Sequence, residues 1–183
     1  MATTMEDRHG VVQRAIGAAL LDVDVYEEVE ADVNATGQAA TVVFVVALSS
    51  ALASYASGTG AIIGGVISAF LNWGIFAGMT MFIGTRFFGG TADWGELLRT
   101  LGFAQAPGVL AILAVIPLLG ALVGIVVGIW SLVAAVVAIR QALDFDTTRA
   151  ILTAVSAVVV IIIVSIVIGI MTGISMGVIG AIT

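Results

Sequence analysis

The side chains that could do chemistry in this 183-residue sequence are few, and several types are missing. There is no cysteine and a single histidine, His9. A disulfide framework, a thiolate metal site, a thiol nucleophile and a histidine zinc site are therefore excluded. No phosphate loop, nucleophile elbow or metal-ligand spacing occurs, so no catalytic residue, metal or cofactor is expected and the chain does not read as an enzyme. What remains is hydrogen bonding and charge. Two amides, Asn72 and Gln105, fall inside long apolar stretches, and a hydrogen bond between helices in lipid is worth about 0.6 to 2 kcal/mol. Such a bond is the structural reading of each; a pore or ligand contact is the functional one. Pro107 should kink its helix by removing one backbone bond, with Gln105 placed to help satisfy the freed carbonyl. Ser131 and Ser156 can bond their own helix backbone. Near the N-terminus, Tyr26, Glu27, Glu28, Glu30 and Asp32 form an acidic group. It reads either as a docking face for a basic protein partner or as the polar side of helices anchored at the membrane.

The elements that position these residues follow from composition and charge. Hydrophobic residues make up 61% and charged residues 10% of the chain, with a mean hydropathy of +1.22, against roughly 25% charged in soluble domains. The chain is that of an integral membrane protein, with the lipid bilayer as its first partner. Six arginines, no lysine and twelve acids give a net charge of -6, which argues against nucleic acid. The acidic, lysine-free composition resembles proteins of salt-loving microbes.

Ten of the charges lie in residues 1–32, four in 86–99 and four in 140–149. The charge-free blocks between them, 33–85, 100–139 and 150–183, fit two, two and one spans of about 20 residues. Ser57-Gly58-Thr59-Gly60 and Pro117-Leu118-Leu119-Gly120 break the two longer blocks. Five helices are expected at about 39–56, 61–84, 100–116, 120–139 and 150–174, with no ionisable residue inside any of them. The fold class is all-α: a five-helix transmembrane bundle, residues 39–183, behind a short amphipathic helical cytoplasmic segment, residues 1–38. The apolar turn at Pro117 leaves a re-entrant hairpin over 100–139 as the alternative to full crossing. All six arginines fall on one side, placing the N-terminus in the cytoplasm and the C-terminus outside the cell membrane. Residues 1–32 lack the pattern of a cleavable signal peptide, and the Asn34-Ala35-Thr36 sequon then faces the cytosol.

Within the head, Val12, Ile16 and Leu20, then Val25, Val29 and Val33, recur at four-residue spacing, which predicts two amphipathic helices separated near Asp22, with Asp24 and Glu27 in a capping relation. Asp93 with Glu96, and Asp146, are expected to cap the third and fifth spans. Trp94, Leu97, Leu98 and Leu101 make an apolar stripe, with Trp94 as an interfacial anchor. Glycine recurs every fourth residue at Gly120, Gly124 and Gly128, and again at Gly169, Gly173 and Gly177, with shorter versions at Gly60 and Gly64 and at Gly74 and Gly78. Such stripes let helices approach closely. Packing within the chain is the structural reading and a homo-oligomer the functional alternative.

Residues 87–143 resemble the Yip1 domain family. The likeness rests on Gly89-Gly90, on Arg99-Thr100-Leu101-Gly102-Phe103-Ala104-Gln105-Ala106-Pro107, on Pro117-Leu118-Leu119-Gly120, on Ile129-Trp130-Ser131-Leu132 and on Ala138-Ile139-Arg140-Gln141-Ala142-Leu143, with Phe70-Leu71-Asn72-Trp73 before them. The resemblance implies a non-enzymatic, five-span membrane protein. Eukaryotic members bind small GTPases and carry a cytosolic Asp-Leu-Tyr and Gly-Pro pattern before the first helices, which this sequence lacks; its compact loops look prokaryotic. The expected function is a membrane scaffold or adaptor that docks a protein at its cytoplasmic face. The alternative is a passive channel or a transporter of small solutes or lipid, with a path near Asn72, Gln105 and Pro107.

Overall fold

The computed structural model describes residues 10–53, 59–116 and 119–182, with side-chain surroundings given as far as Ile170. His9, the Ser57-Gly58 and Pro117-Leu118 positions of the two turns, and the surroundings of Gly173 and Gly177 lie outside the described residues. The described chain is all helical. The order is α1 (Val11–Ala19), α2 (Val23–Ala31), α3 (Ala35–Ala53), α4 (Thr59–Phe87), α5 (Trp94–Phe103), a 3-10 segment (Ala106–Val115), α6 (Gly120–Ala142) and α7 (Thr147–Ile182). Among the described residues, five stretches are long and apolar enough to cross a membrane.

Local chemistry starts and stops these helices. Asp93 and Glu96 exchange side-chain to backbone bonds of 2.8 Å in a capping box at the start of α5, and Asp146 accepts from Arg149 N at 3.0 Å at the start of α7. At α2 the cap is Asp22, accepting from Asp24 N at 3.1 Å, rather than Asp24 itself. Helices α1 and α6 both end in a pair of backbone bonds that wraps the last turn, from Leu21 and Asp22 and from Asp144 and Phe145. The reversing residues are Leu21 at φ 64° and Asp144 at φ 54°, a left-handed conformation that costs a leucine roughly 1 to 2 kcal/mol.

The spans overrun the charge-free blocks at nearly every end. Arg86 sits in the last turn of α4 and Arg140 in that of α6, while Glu96 and Arg99 lie inside α5 and so inside the third candidate span, Trp94–Val115. The expectation of spans free of ionisable residues is thereby corrected. A helix ends where its backbone bonds end, and long side chains carry their charge to the polar side.

The third span also differs at Pro107. Instead of a kinked α-helix, α5 stops at Phe103 and the chain runs on as ten residues of 3-10 helix. Proline has no N–H to give and its ring opposes the carbonyl four residues back. The chain turns to three-residue bonds: Gln105 N to Gly102 O at 3.3 Å and Gly108 N to Gln105 O at 2.7 Å. A 3-10 run this long is uncommon, and it is held here between α3 and α6. At about 1.5 Å per residue for α5 and about 2.0 Å for the 3-10 segment, the two together exceed the roughly 30 Å of a hydrocarbon core.

The buried core is built on small residues, but they are alanines. Ala39, Ala77, Ala134, Ala138, Ala150 and Ala154 are buried at the helix contacts, where alanine allows close approach and is roughly 1 kcal/mol better than glycine as a helix former. The glycine stripes do not build this bundle. A Cβ on Gly60, Gly64, Gly74, Gly124, Gly128 or Gly169 would meet no atom of the described chain, and one on Gly120 only the neighbouring turn at Ala114. Close approach is made elsewhere, at Gly102, and at one stripe glycine, Gly78. Gly102 lets α5 press on α3, its Cβ position lying 2.7 Å from Ala39 Cβ, and Gly78 lies under the Trp94 ring. Large apolar side chains such as Ile67, Leu71, Ile125 and Ile129 face outward, as they must in lipid.

Gly102→Leu should therefore destabilise the bundle by about 1 to 3 kcal/mol, whereas Gly124→Leu and Gly128→Leu should leave the unfolding midpoint of the detergent-solubilised monomer unchanged or raised. Thermal unfolding of the three variants checks this; equal loss in all three would restore the stripe to the core.

Candidate functional site

Two places gather polar side chains, the head face where α1 and α2 meet the bundle, and a cleft halfway along the spans. The head is tied down by two arginines. Arg14 of α1, 1% exposed, donates from Nη2 to Glu28 Oε1 at 2.7 Å and to Asp32 Oδ2 at 3.0 Å, from Nε to Glu28 Oε1 at 3.0 Å and from Nη1 to Gln38 Oε1 at 3.0 Å. Burial alone would lower the affinity of its guanidinium for the proton; the hydrogen bonds and charges of Glu28 and Asp32 more than reverse this. Arg99 of α5, 5% exposed, donates from Nε to the carbonyls of Val29 and Glu30 at 3.0 Å and from Nη2 to Glu30 O. It meets the C-terminal carbonyls of α2, where a cation complements the helix dipole.

The carbonyls at the end of α1 are met the same way. Tyr26 Oη donates to Ala18 O at 3.0 Å and Trp130 Nε1 to Ala19 O at 2.7 Å. Burial pushes the Tyr26 hydroxyl well above its ordinary pKa. Nothing in the spacing of these side chains marks them as the ties of the head; an arginine in an otherwise uncharged helix, as at Arg14, is the one signal the sequence carries.

These contacts correct the acidic docking face read from the sequence. Tyr26 is fully buried, Glu28 and Asp32 are held by Arg14, Glu30 is half-buried, and of the five only Glu27 is exposed. Val25 and Val29 pack inward while Val12, Ile16, Leu20 and Val33 point out, so four of the six residues of the two predicted stripes face the surroundings as an interfacial anchor would. Segment 1–38 is also no separate unit, since α2 packs on α5 and α6 and α3 already begins at Ala35.

The acidic surface that does exist is composite. Asp24 and Glu27 of α2, Asp93 before α5, and Asp144 and Asp146 between α6 and α7 are exposed. Glu27 Oε1 accepts from Gln141 Nε2 at 2.9 Å, and Asp144 Oδ2 accepts from Thr91 Oγ1 at 3.2 Å. Glu30 records how much negative charge is gathered there. Burial first, then the carboxylates of Glu96, Asp144 and Glu27, push its carboxyl up to about 7 against the opposing pull of Arg99. Among the described residues no group of His, Cys, Asp or Glu is arranged to hold a metal ion.

The second place joins two residues that the sequence offered separately. Asn72 of α4 and Gln105, between α5 and the 3-10 segment, line one cleft of about 280 Å3 together with Ser131 of α6, Trp73, Phe76 and Leu101. Pro107 is buried and is not on its wall. Trp73 Nε1 is engaged with Leu98 O at 3.0 Å. The side chains of Asn72, Gln105 and Ser131 make no hydrogen bond to the described residues; Gln105 does not cap the 3-10 segment that follows it. Ser131 thus departs from Ser49, Thr85 and Ser165, whose hydroxyls turn back to carbonyls four residues earlier.

Residues 23–169, from the start of α2 well into α7, match the Yip1 domain. The chain belongs to the Yip1 domain family. This Yip1 protein is a multi-pass membrane protein, and because the match begins at α2 the family domain includes the second head helix. No curated relative and no solved structure matches it.

Arg14→Met should unseat α1 from α2 by leaving Glu28 and Asp32 without that cation, at a cost of about 3 kcal/mol, read as protease access at the α1–α2 turn. Glu30 adds a pH dependence. Its folded pKa of about 7 stands above its ordinary 4.5, so between these values the folded state holds a proton the unfolded state has lost. Stability should fall as pH rises from about 5 to 7.5. Glu30→Gln should flatten that slope in denaturant titrations; an unchanged slope would remove Glu30 as its source.

Proposed function

We propose that this Yip1 protein is a non-enzymatic membrane adaptor whose head face, turned to the cytoplasm, docks a basic segment of a partner protein. The observation that carries the reading is the convergence of Glu27, Glu30, Glu96 and Asp144 from three separate parts of the chain, whose charges add to burial in raising the Glu30 carboxyl. A surface with its charges so crowded gains from an approaching cation, and such complementarity chiefly speeds encounter and sets specificity. The helices beneath give the surface a fixed shape, since the C-terminal end of α2 is held by both Arg14 and Arg99 and Tyr26 ties its earlier turn to α1. The orientation rests on the arginines. Arg86, Arg99, Arg140 and Arg149 lie near the head-side ends of four of the spans and Arg14 in the head itself, the distribution expected of a cytoplasmic face.

Photo-crosslinking probes belong at the exposed Asp24 rather than at the buried Tyr26 or Val29. In native membranes a probe at Asp24 should capture one protein in near-stoichiometric amount, with a basic sequence at the crosslinked site. Capture should fall as salt is raised and be lost in a Glu27→Gln, Asp144→Asn double variant that keeps its fold. Capture of lipid or of the same chain alone, or indifference to the double variant, overturns the adaptor reading.

A further inference from the structure

The mid-membrane cleft has no part in the adaptor reading, and its chemistry points to a small ligand. Asn72 lies near the middle of α4, Ser131 midway along α6, and Gln105 midway along the third span. Each polar group thus lies about 15 Å or more of helix from either end of its candidate span at 1.5 to 2.0 Å per residue. An unpaired amide at this depth is costly, and lipid offers it nothing, because phospholipid esters and phosphates sit at the interface. Yet the bundle leaves two amides and a hydroxyl unbonded around one cavity of about 280 Å3, while it satisfies both neighbouring indoles, Trp73 and Trp130, with carbonyls.

We infer that this cleft binds a neutral, membrane-soluble ring bearing carbonyl groups, the chemistry of an isoprenoid quinone head. The lining contains no ionisable side chain, so nothing in it neutralises the charge of a phosphate head, a carboxylate or a metal cation, and a neutral ligand fits it best. The two amides and the Ser131 hydroxyl supply donors to ring carbonyls, which accept only. The Trp73 and Phe76 rings supply apolar walls, and the bond from Trp73 Nε1 to Leu98 O holds the indole in place. The volume holds a bicyclic ring but not its tail. Asn72 is exposed, so the cleft opens sideways to the acyl chains, where a prenyl tail belongs and through which the ligand enters. A fatty acyl chain has no group for the three donors, and a sterol hydroxyl is held at the interface.

The test uses the full chain carrying Trp94→Phe, in phosphatidylcholine nanodiscs, titrated with 2-methyl-3-prenyl-1,4-naphthoquinone. Quenching of tryptophan emission should saturate, and Asn72→Leu and Gln105→Leu should each shift the midpoint by about tenfold, while Asn72→Gln retains binding. Because Asn72 is exposed, its leucine variant keeps the fold, which circular dichroism and the thermal midpoint verify. Farnesol, a prenyl alcohol without a ring, should not compete. The inference is overturned by linear, unsaturable quenching, by a midpoint unmoved in both leucine variants, or by equal competition from farnesol. It is also overturned if Asn72→Cys forms disulfide dimers at one chain pair per thousand lipids, since a second copy would then cover the cleft.

Discussion

The arrangement of the head depends on a buried guanidinium. Arg14 is almost wholly withdrawn from solvent and holds Glu28, Asp32 and Gln38 at hydrogen-bond distance, joining α1, α2 and the start of α3. A buried charge of this kind is stable only when its donors are met, so the angle at which α2 leaves α1 and enters α3 is tightly specified. Arg99 repeats the device from the bundle side, meeting carbonyls instead of carboxylates. Because Arg99 spends its donors on the backbone of α2, its charge only partly offsets the burial of the Glu30 carboxyl and the repulsion of Glu96, Asp144 and Glu27. The acidic character of the head face is in this sense a by-product of how the head is fastened.

Below the head the packing follows the logic of lipid. With no hydrophobic force between helices in hydrocarbon, association rests on close contact and hydrogen bonding. Buried alanines supply the contact, and indole and phenol groups find helix-end carbonyls. Glycine is required only where a Cβ would strike a neighbour, as at Gly102 on Ala39 and Gly78 under Trp94, and most of the described repeated glycines meet no neighbour. The 3-10 segment follows from Pro107 and has a further effect. By changing the period of the third span just after Gln105, it sets that amide beside Asn72 and Ser131, which separate helices bring to the same depth.

Much of this was legible in the amino-acid order. The membrane class, five apolar spans, the caps at Asp93 and Asp146 and the Yip1 likeness all follow from properties that act locally, namely hydrocarbon length, side-chain polarity and the four unpaired N–H groups of a helix start. Charge placement located the helix ends only roughly, because an arginine can belong to a helical turn and still reach water, as Arg86 and Arg140 do, or a partner helix, as Arg99 does. The polar residues were legible as types: Asn72 and Gln105 stood out as amides in hydrocarbon, and the acids of α2 as an unusual concentration of charge.

Which way those residues face was decided by tertiary structure alone. A period of four places Gly120, Gly124 and Gly128 on one side of a helix whether that side meets a helix or lipid, and only the crossing of α6 with its neighbours turns Ala134 and Ala138 inward instead. The acids of α2 could equally have faced a partner; the distant Arg14 and Arg99 claim part of that helix, and the distant Asp144 completes the acidic surface. The meeting of Asn72, Gln105 and Ser131 depends on three crossing angles and one change of helical pitch, quantities that no local pattern encodes. Sequence periodicity specifies a face, and only contact between elements far apart in the chain decides what that face meets.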